Sequence, residues 1–178
     1  RTIGNTSLYQ DDDKILWLFY NAVMVRGGWS GALINYVISH DNGHSWSSPK
    51  RFATTIGNLV KNSPLRLDAA SFLLPCYTEF LSHKSYVCKV IHRNGEIVSK
   101  TCDAQINAEG LIQPALVRSR NGDILMILRD RSKQRIHISR STDGGERWSG
   151  PERVGLPNPD SANAAITLDD GRILLAYN

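Results

Sequence analysis

The octapeptide Ser39-His40-Asp41-Asn42-Gly43-His44-Ser45-Trp46 returns 102 residues later as Ser141-Thr142-Asp143-Gly144-Gly145-Glu146-Arg147-Trp148. Both read S-x-D-x-G-x-x-W, both follow a β-rich run, and both lead into Ser-x-Pro or Ser-Gly-Pro. Each residue type suits a tight connection between antiparallel strands. The aspartate accepts hydrogen bonds from the turn's own amides, glycine supplies positive φ, and tryptophan folds back as an apolar lid. The rest of the chain reads as the strands that these turns join.

A longer repeat surrounds them. Asn5, Asn62, Gln113 and Asn163 lie 57, 51 and 50 positions apart, and each opens a short run that precedes an apolar one. Those apolar runs are Ile15–Tyr20, Leu73–Tyr77, Ile124–Leu128 and Ile173–Tyr177. Polar hairpin signals separate each pair: Asp11-Asp12-Asp13, Asp68-Ala69-Ala70, Asn121-Gly122-Asp123 and Asp169-Asp170-Gly171. A third strand follows at Ala32–Ser39, Tyr86–His92 and Ile136–Ser141, and a more polar fourth near Ser47–Ala53, Glu96–Thr101 and Ser149–Gly155. Asn94-Gly95 supplies the middle turn that lacks the octapeptide.

Four antiparallel strands per period of roughly 50 residues are the signature of β-propeller blades. The expected fold is therefore all-β, with complete blades over residues 4–54, 58–103 and 108–157 and half a blade over 161–178. Inner strands, apolar on nearly every residue, should pack on both faces, and the polar fourth strand should face solvent. Three and a half blades do not close a ring. The expectation is either an internal part of a larger propeller or two copies that complete one another.

Composition narrows the function classes. A net charge of +4, from 21 Lys+Arg against 17 Asp+Glu, mildly favours acidic ligands, and no basic run points to nucleic acid. Apolar runs are strand-sized, too short to cross a bilayer as helices. The chain opens Arg1-Thr2-Ile3-Gly4 with no signal peptide, so localisation stays open. Cys76, Cys88 and Cys102 lack metal-ligand spacing. They read as buried free thiols, or as a Cys76–Cys88 bridge between neighbouring strands in an oxidising compartment. No metal or cofactor is expected.

The two octapeptides resemble the Asp boxes of sialidases and related six-bladed propellers, where Ser39, Asp41, Gly43, Trp46 and Ser141, Asp143, Gly145, Trp148 would be scaffold. Gln113 to Trp148 resembles the sialidase segment in which an acidic residue opens a blade and an arginine follows sixteen positions later. Gly28-Trp29-Ser30, Leu73-Leu74-Pro75 with Tyr77 and Glu79, Ile112-Gln113-Pro114 and Leu156-Pro157-Asn158-Pro159 are similar to the bacterial branch of predicted neuraminidases with BNR repeats. The resemblance implies that Arg129 belongs to a clamp for the sialic acid carboxylate. It also implies a retaining reaction with a tyrosine nucleophile activated by a carboxylate. At that acidic position stands Gln113, and the nucleophile is implied to lie outside this chain.

Topology alone places Asn5, Asn62, Gln113 and Asn163 at one mouth of the channel, with Glu79 and Arg129–Arg131 beside them and the Asp boxes at the far end. Arg129 suits a carboxylate through its planar fork, or pairs with Asp130 as structure. Glu79 orients a nucleophile or accepts a sugar hydroxyl, or is a solvated loop carboxylate. Asn62 and Asn163 donate to sugar hydroxyls or satisfy strand ends; Arg131 is a ligand contact or plain surface charge. Trp29, in a Gly-rich loop, is placed to stack on a sugar face. Together these give a sialidase-like exo-glycosidase acting on an acidic carbohydrate, with Arg129, Gln113 and Glu79 as catalytic candidates. The alternative is a carbohydrate-binding or interaction propeller without chemistry.

Overall fold

The structure, a computed structural model, describes residues 2–23 and 27–178. Among the described residues fifteen strands form four antiparallel sheets in chain order. The first holds β1 (Thr2–Gln10), β2 (Leu16–Val23), β3 (Ala32–Ser39) and β4 (Lys50–Arg51). The second holds β5 (Asn58–Val60), β6 (Leu65–Asp68), β7 (Ser71–Thr78), β8 (Ser85–Arg93) and β9 (Glu96–Gln105). The third holds β10 (Leu111–Arg118), β11 (Ile124–Asp130), β12 (Arg135–Ser141) and β13 (Glu152–Pro157). A two-stranded sheet of β14 (Ala164–Thr167) and β15 (Ile173–Ala176) ends the chain.

This is a partial β-propeller, and its apolar cores lie between successive sheets. Trp17, Phe19, Ile34 and Tyr36 of the first sheet meet Phe72, Leu74, Cys76 and Val90 of the second. Leu73 and Val87 meet Leu116, Met126 and Leu128 of the third. Ala115, Val117 and Ile127 meet Ala165 and Leu175 of the fourth. Burial on both faces holds in the middle sheets, where β7 and β10 are buried at every residue but their last. It fails along the first two strands of each end sheet, although β3 is buried throughout. There β2 and β15 alternate, and Ile3, Leu8, Ile166 and Leu174 stay at least half exposed because a face has no neighbouring sheet.

Inner strands break at the same register. β1 slips between Gly4 and Ser7, and β10 between Ile112 and Ala115. In the second sheet the interruption is complete: Lys61–Pro64 separates β5 from β6, and both halves pair with β7. Within the two slips, Asn5 and Gln113 take left-handed backbone at φ 47° and 53°. These irregularities sit beside the ends of β2, β7 and β11.

At the opposite end of the strands the two octapeptides form matching turns. Ser39 Oγ accepts from Gly43 N at 2.8 Å and donates to Asp41 Oδ1 at 2.7 Å. Ser141 does the same with Gly145 and Asp143 at 2.8 and 2.9 Å. Trp46 and Trp148 each donate the indole N–H to the carbonyl of the motif glycine at 3.1 Å. Gly43 and Gly145 stand at φ 89° and 93°, where a side chain would be strained. The middle turn is Asn94-Gly95, both at positive φ as a two-residue hairpin needs.

The cysteines differ from both readings of the sequence. Cys88 and Cys102 form a disulfide between adjacent strands β8 and β9, and Cys76 is a buried free thiol. Cys88 lies opposite Leu74 in the β7–β8 register, so it is not across from Cys76. On its other side a slip in the β8–β9 ladder next to Cys88 brings Cys102 within reach.

Candidate functional site

Asn5, Trp29, Tyr77, Glu79, Ile112, Gln113, Arg129, Arg131 and Asp160 line one recess of about 220 Å³. They come from three sheets. Asn5 and Gln113 sit in the inner-strand slips, Tyr77 and Glu79 at the end of β7, and Arg129 and Arg131 at the end of β11. Because an inner strand starts where its second strand ends, six widely spaced residues reach one rim. Larger hollows lie over β8–β9 and between the inner strands, about 400 and 320 Å³; neither is lined by both an arginine and a carboxylate.

Arg129 is engaged on both sides of its guanidinium. Nε and Nη2 donate to Asp160 Oδ1 at 2.9 and 2.7 Å, and Nη1 donates to Gln113 Oε1 at 2.9 Å. The partner is thus Asp160 and not the neighbouring Asp130, which turns to the other face of its strand. Asp130 Oδ1 accepts from Ser132 N at 2.7 Å, and Ser132 holds its carboxyl below the usual range against the opposing effect of burial. Asp160 reaches Arg129 because Asn158 pins the loop. Its amide accepts from Asp130 N at 3.3 Å and donates to Ser161 O at 3.0 Å, and Asp160 itself sits at φ 63°.

Gln113 passes the contact on. Its Nε2 donates to the Tyr77 hydroxyl at 3.4 Å, and Asn5 Nδ2 donates to the same oxygen at 3.1 Å. Burial is the main cause that pushes the Tyr77 phenol up to about 12, although Gln113 and Asn5 oppose it. Trp29 stands on the rim in a single 3-10 turn, Gly28–Gly31, and remains two-fifths exposed. Its ring packs on Gly4, where an added Cβ would come within 2.7 Å of Cη2. Ser30 Oγ donates to the Glu79 carbonyl at 2.7 Å, which ties this turn to the end of β7.

Two expected residues lie elsewhere. Asn62 spends its Nδ2 on the Gln113 and Pro114 carbonyls, at 3.1 and 3.0 Å, and so satisfies the slipped strand of the neighbouring sheet. Asn163 is buried beside Lys61 and Tyr177 in a separate hollow, with neither amide atom hydrogen-bonded among the described residues. Two polar residues of the recess escaped the sequence reading, Tyr77 as a site residue and Asp160 altogether. Tyr77 precedes the end of β7 as Arg129 precedes the end of β11, a correspondence the repeat already carried. Asp160 has no such signal, since the Asn158 amide brings it in. Among the described residues no group of three or more His, Cys, Asp or Glu is placed to hold a metal ion.

The chain matches the BNR repeat-like domain family over residues 1–178. No curated protein matches it in sequence. Among solved structures it is similar to a Dyadobacter fermentans protein of unknown function (17% identity, TM-score 0.77), covering 98% of this chain and 56% of that one. It is also similar to the Hadza microbial sialidase Hz136 (11%, 0.77; 97% and 39%). The NanB sialidase from Streptococcus pneumoniae is a third (13%, 0.74; 97% and 44%). The chain thus spans roughly two-fifths to just over half the length of these structures, and at such identities the likeness is one of fold.

Proposed function

We propose, for a chain that belongs to the BNR repeat-like domain family, a sialidase-like exo-glycosidase role on acidic sugars such as sialic acid glycosides. The observation that carries this reading is the guanidinium of Arg129 in a small polar recess, four-fifths buried and flanked by Gln113, Tyr77, Glu79 and Asp160. A planar fork in such a setting suits a carboxylate, since partial burial strengthens charge-assisted hydrogen bonds. In this reading Arg129 holds the carboxylate and Glu79 takes a sugar hydroxyl or orients a nucleophile. Arg131 adds positive potential, and Trp29 offers a ring face at the rim. The test is turnover of a fluorogenic sialoside by the full-length protein, with Arg129→Ala expected to lower kcat/KM at least 100-fold. Unchanged kcat/KM in that variant would remove the assignment.

One observation favours a second reading, a carbohydrate-binding propeller without turnover. Gln113 stands where the resembling enzymes carry an acid, and it is hydrogen-bonded to Arg129 as a neutral amide. Glycan binding by a protein that turns over none of the bound glycans would select it.

A further inference from the structure

Hydrogen-bond polarity along Arg129, Gln113 and Tyr77 is set from one end. A guanidinium carries only donors, so its contact with Gln113 obliges that amide to present Oε1 to Arg129. What remains toward Tyr77 is the NH2 group, and Nε2 donates to the phenol oxygen. Asn5, from the equivalent slip in β1, donates its Nδ2 to the same oxygen. Two N–H groups therefore use the acceptor capacity of that hydroxyl. Its proton finds no acceptor among the described residues, and Glu79, which lines the same recess, makes no hydrogen bond to it.

We propose that Tyr77 is a hydrogen-bond donor to the ligand, giving its O–H to a carboxylate oxygen held at the Arg129 side of the recess. The inference rests on the acidic-sugar reading for the identity of that acceptor, and on local geometry alone for the direction of the bond. Burial keeps the phenol protonated far above neutral pH, so it donates throughout the working range. Tyr77 thereby acts as a specificity residue: a ligand with an apolar or donor-only group in place of that carboxylate would leave the O–H unpaired in a buried site.

Two measurements test this. The first is calorimetric binding of N-acetylneuraminic acid and glucuronic acid to the full-length protein. Tyr77→Phe should weaken the sugar that binds by about tenfold, a loss typical of one buried hydrogen bond to a charged group. Gln113→Glu should weaken it as much, because a carboxylate there accepts the phenol proton that the ligand would have received. The double variant should be no weaker than Gln113→Glu alone. Additive losses would overturn the proposal, and so would tighter binding in Asn5→Ala, which would mean that Asn5 had been taking the proton.

The second measurement needs no ligand. A difluorotyrosine at position 77 ionises low enough to titrate in the folded protein. Gln113→Leu should raise its pKa, since an N–H donor to the phenolate is lost. A lowered pKa would show that Gln113 accepts from Tyr77 and would overturn the proposal. If neither sugar binds the wild-type protein, the acidic-sugar reading falls, and the direction of this shift still decides the polarity of Tyr77.

Discussion

Arg129 and Asp160, 31 residues apart, meet through a single carboxylate oxygen: Oδ1 accepts from both Nε and Nη2. An anion entering the recess competes with Asp160 for those same donors. The ion pair is three-quarters or more buried on each side, so solvent does little to soften the competition. Asp160→Asn should therefore tighten binding of an acidic sugar, by about tenfold or roughly 1.4 kcal/mol, as read by calorimetry at fixed salt. Weaker binding would mean that Asp160 is needed to hold the guanidinium in place.

Alkali should act through buried phenols. Burial raises Tyr77 from 10.0 to about 12, and Tyr9 likewise to about 12. Between those values the unfolded chain has released the proton and the folded chain retains it, so stability falls as pH rises through the window. The loss from Tyr77 alone is about 2–3 kcal/mol. Phenolate absorbance and circular dichroism followed together should show these rings ionising only as the fold is lost.

The Cys88–Cys102 bridge closes a short loop over the turn at Asn94-Gly95. Opening it with reductant, or by Cys102→Ala, should cost about 3 kcal/mol in chemical denaturation, the scale expected for a loop of 14 residues. Cys76 should stay unmodified by thiol reagents in the folded protein, because burial pushes its thiol up to about 12.

Asp11 is buried and accepts from Ile15 N and Trp17 Nε1, each at 2.9 Å. Removal of the carboxylate leaves two buried donors without partners. Asp11→Ala should cost about 2–5 kcal/mol, and Asp11→Asn less, since its amide oxygen still accepts one of the two.

Acid should act through the two matching turns. The Ser45 hydroxyl and amide, then Ser39, hold the Asp41 carboxyl well below its usual range. Its contribution is present above the ordinary value of 3.8 and is lost as acid titrates it through its lower folded value. The Tm difference between wild type and Asp41→Ala should be full at neutral pH and shrink in strong acid.

Much of this fold was legible because one octapeptide, written twice, fixed strand register over most of the chain. Gln113, Arg129, Glu79, Asn5, Trp29 and Arg131 converge on one recess as topology required, since alternate strand ends share a rim. Asn62 misled for a physical reason. Its strand is interrupted, not slipped, and the freed carbonyls of its neighbour drew its amide away. Tyr77 read as one more core residue because its side chain is almost wholly buried, although it lines the recess. Asp160 and the Cys88–Cys102 bridge depend on a loop pinned by Asn158 and on a slipped ladder, contacts that no local pattern encodes.

The slips at Asn5 and Gln113 separate what the rim presents from what the sheets must bury. A residue inside a slip stands outside the in-and-out alternation that fills the cores, so its replacement leaves every packed face as it was. The left-handed backbone disfavours β-branched side chains at both positions, and at Gln113 burial and its two hydrogen-bond partners restrict the choice further. The rim can thus be rewritten one side chain at a time on an unchanged scaffold. A ligand-specificity library of unbranched residues at position 5, and of unbranched residues no larger than glutamine at buried position 113, should consist mostly of folded proteins.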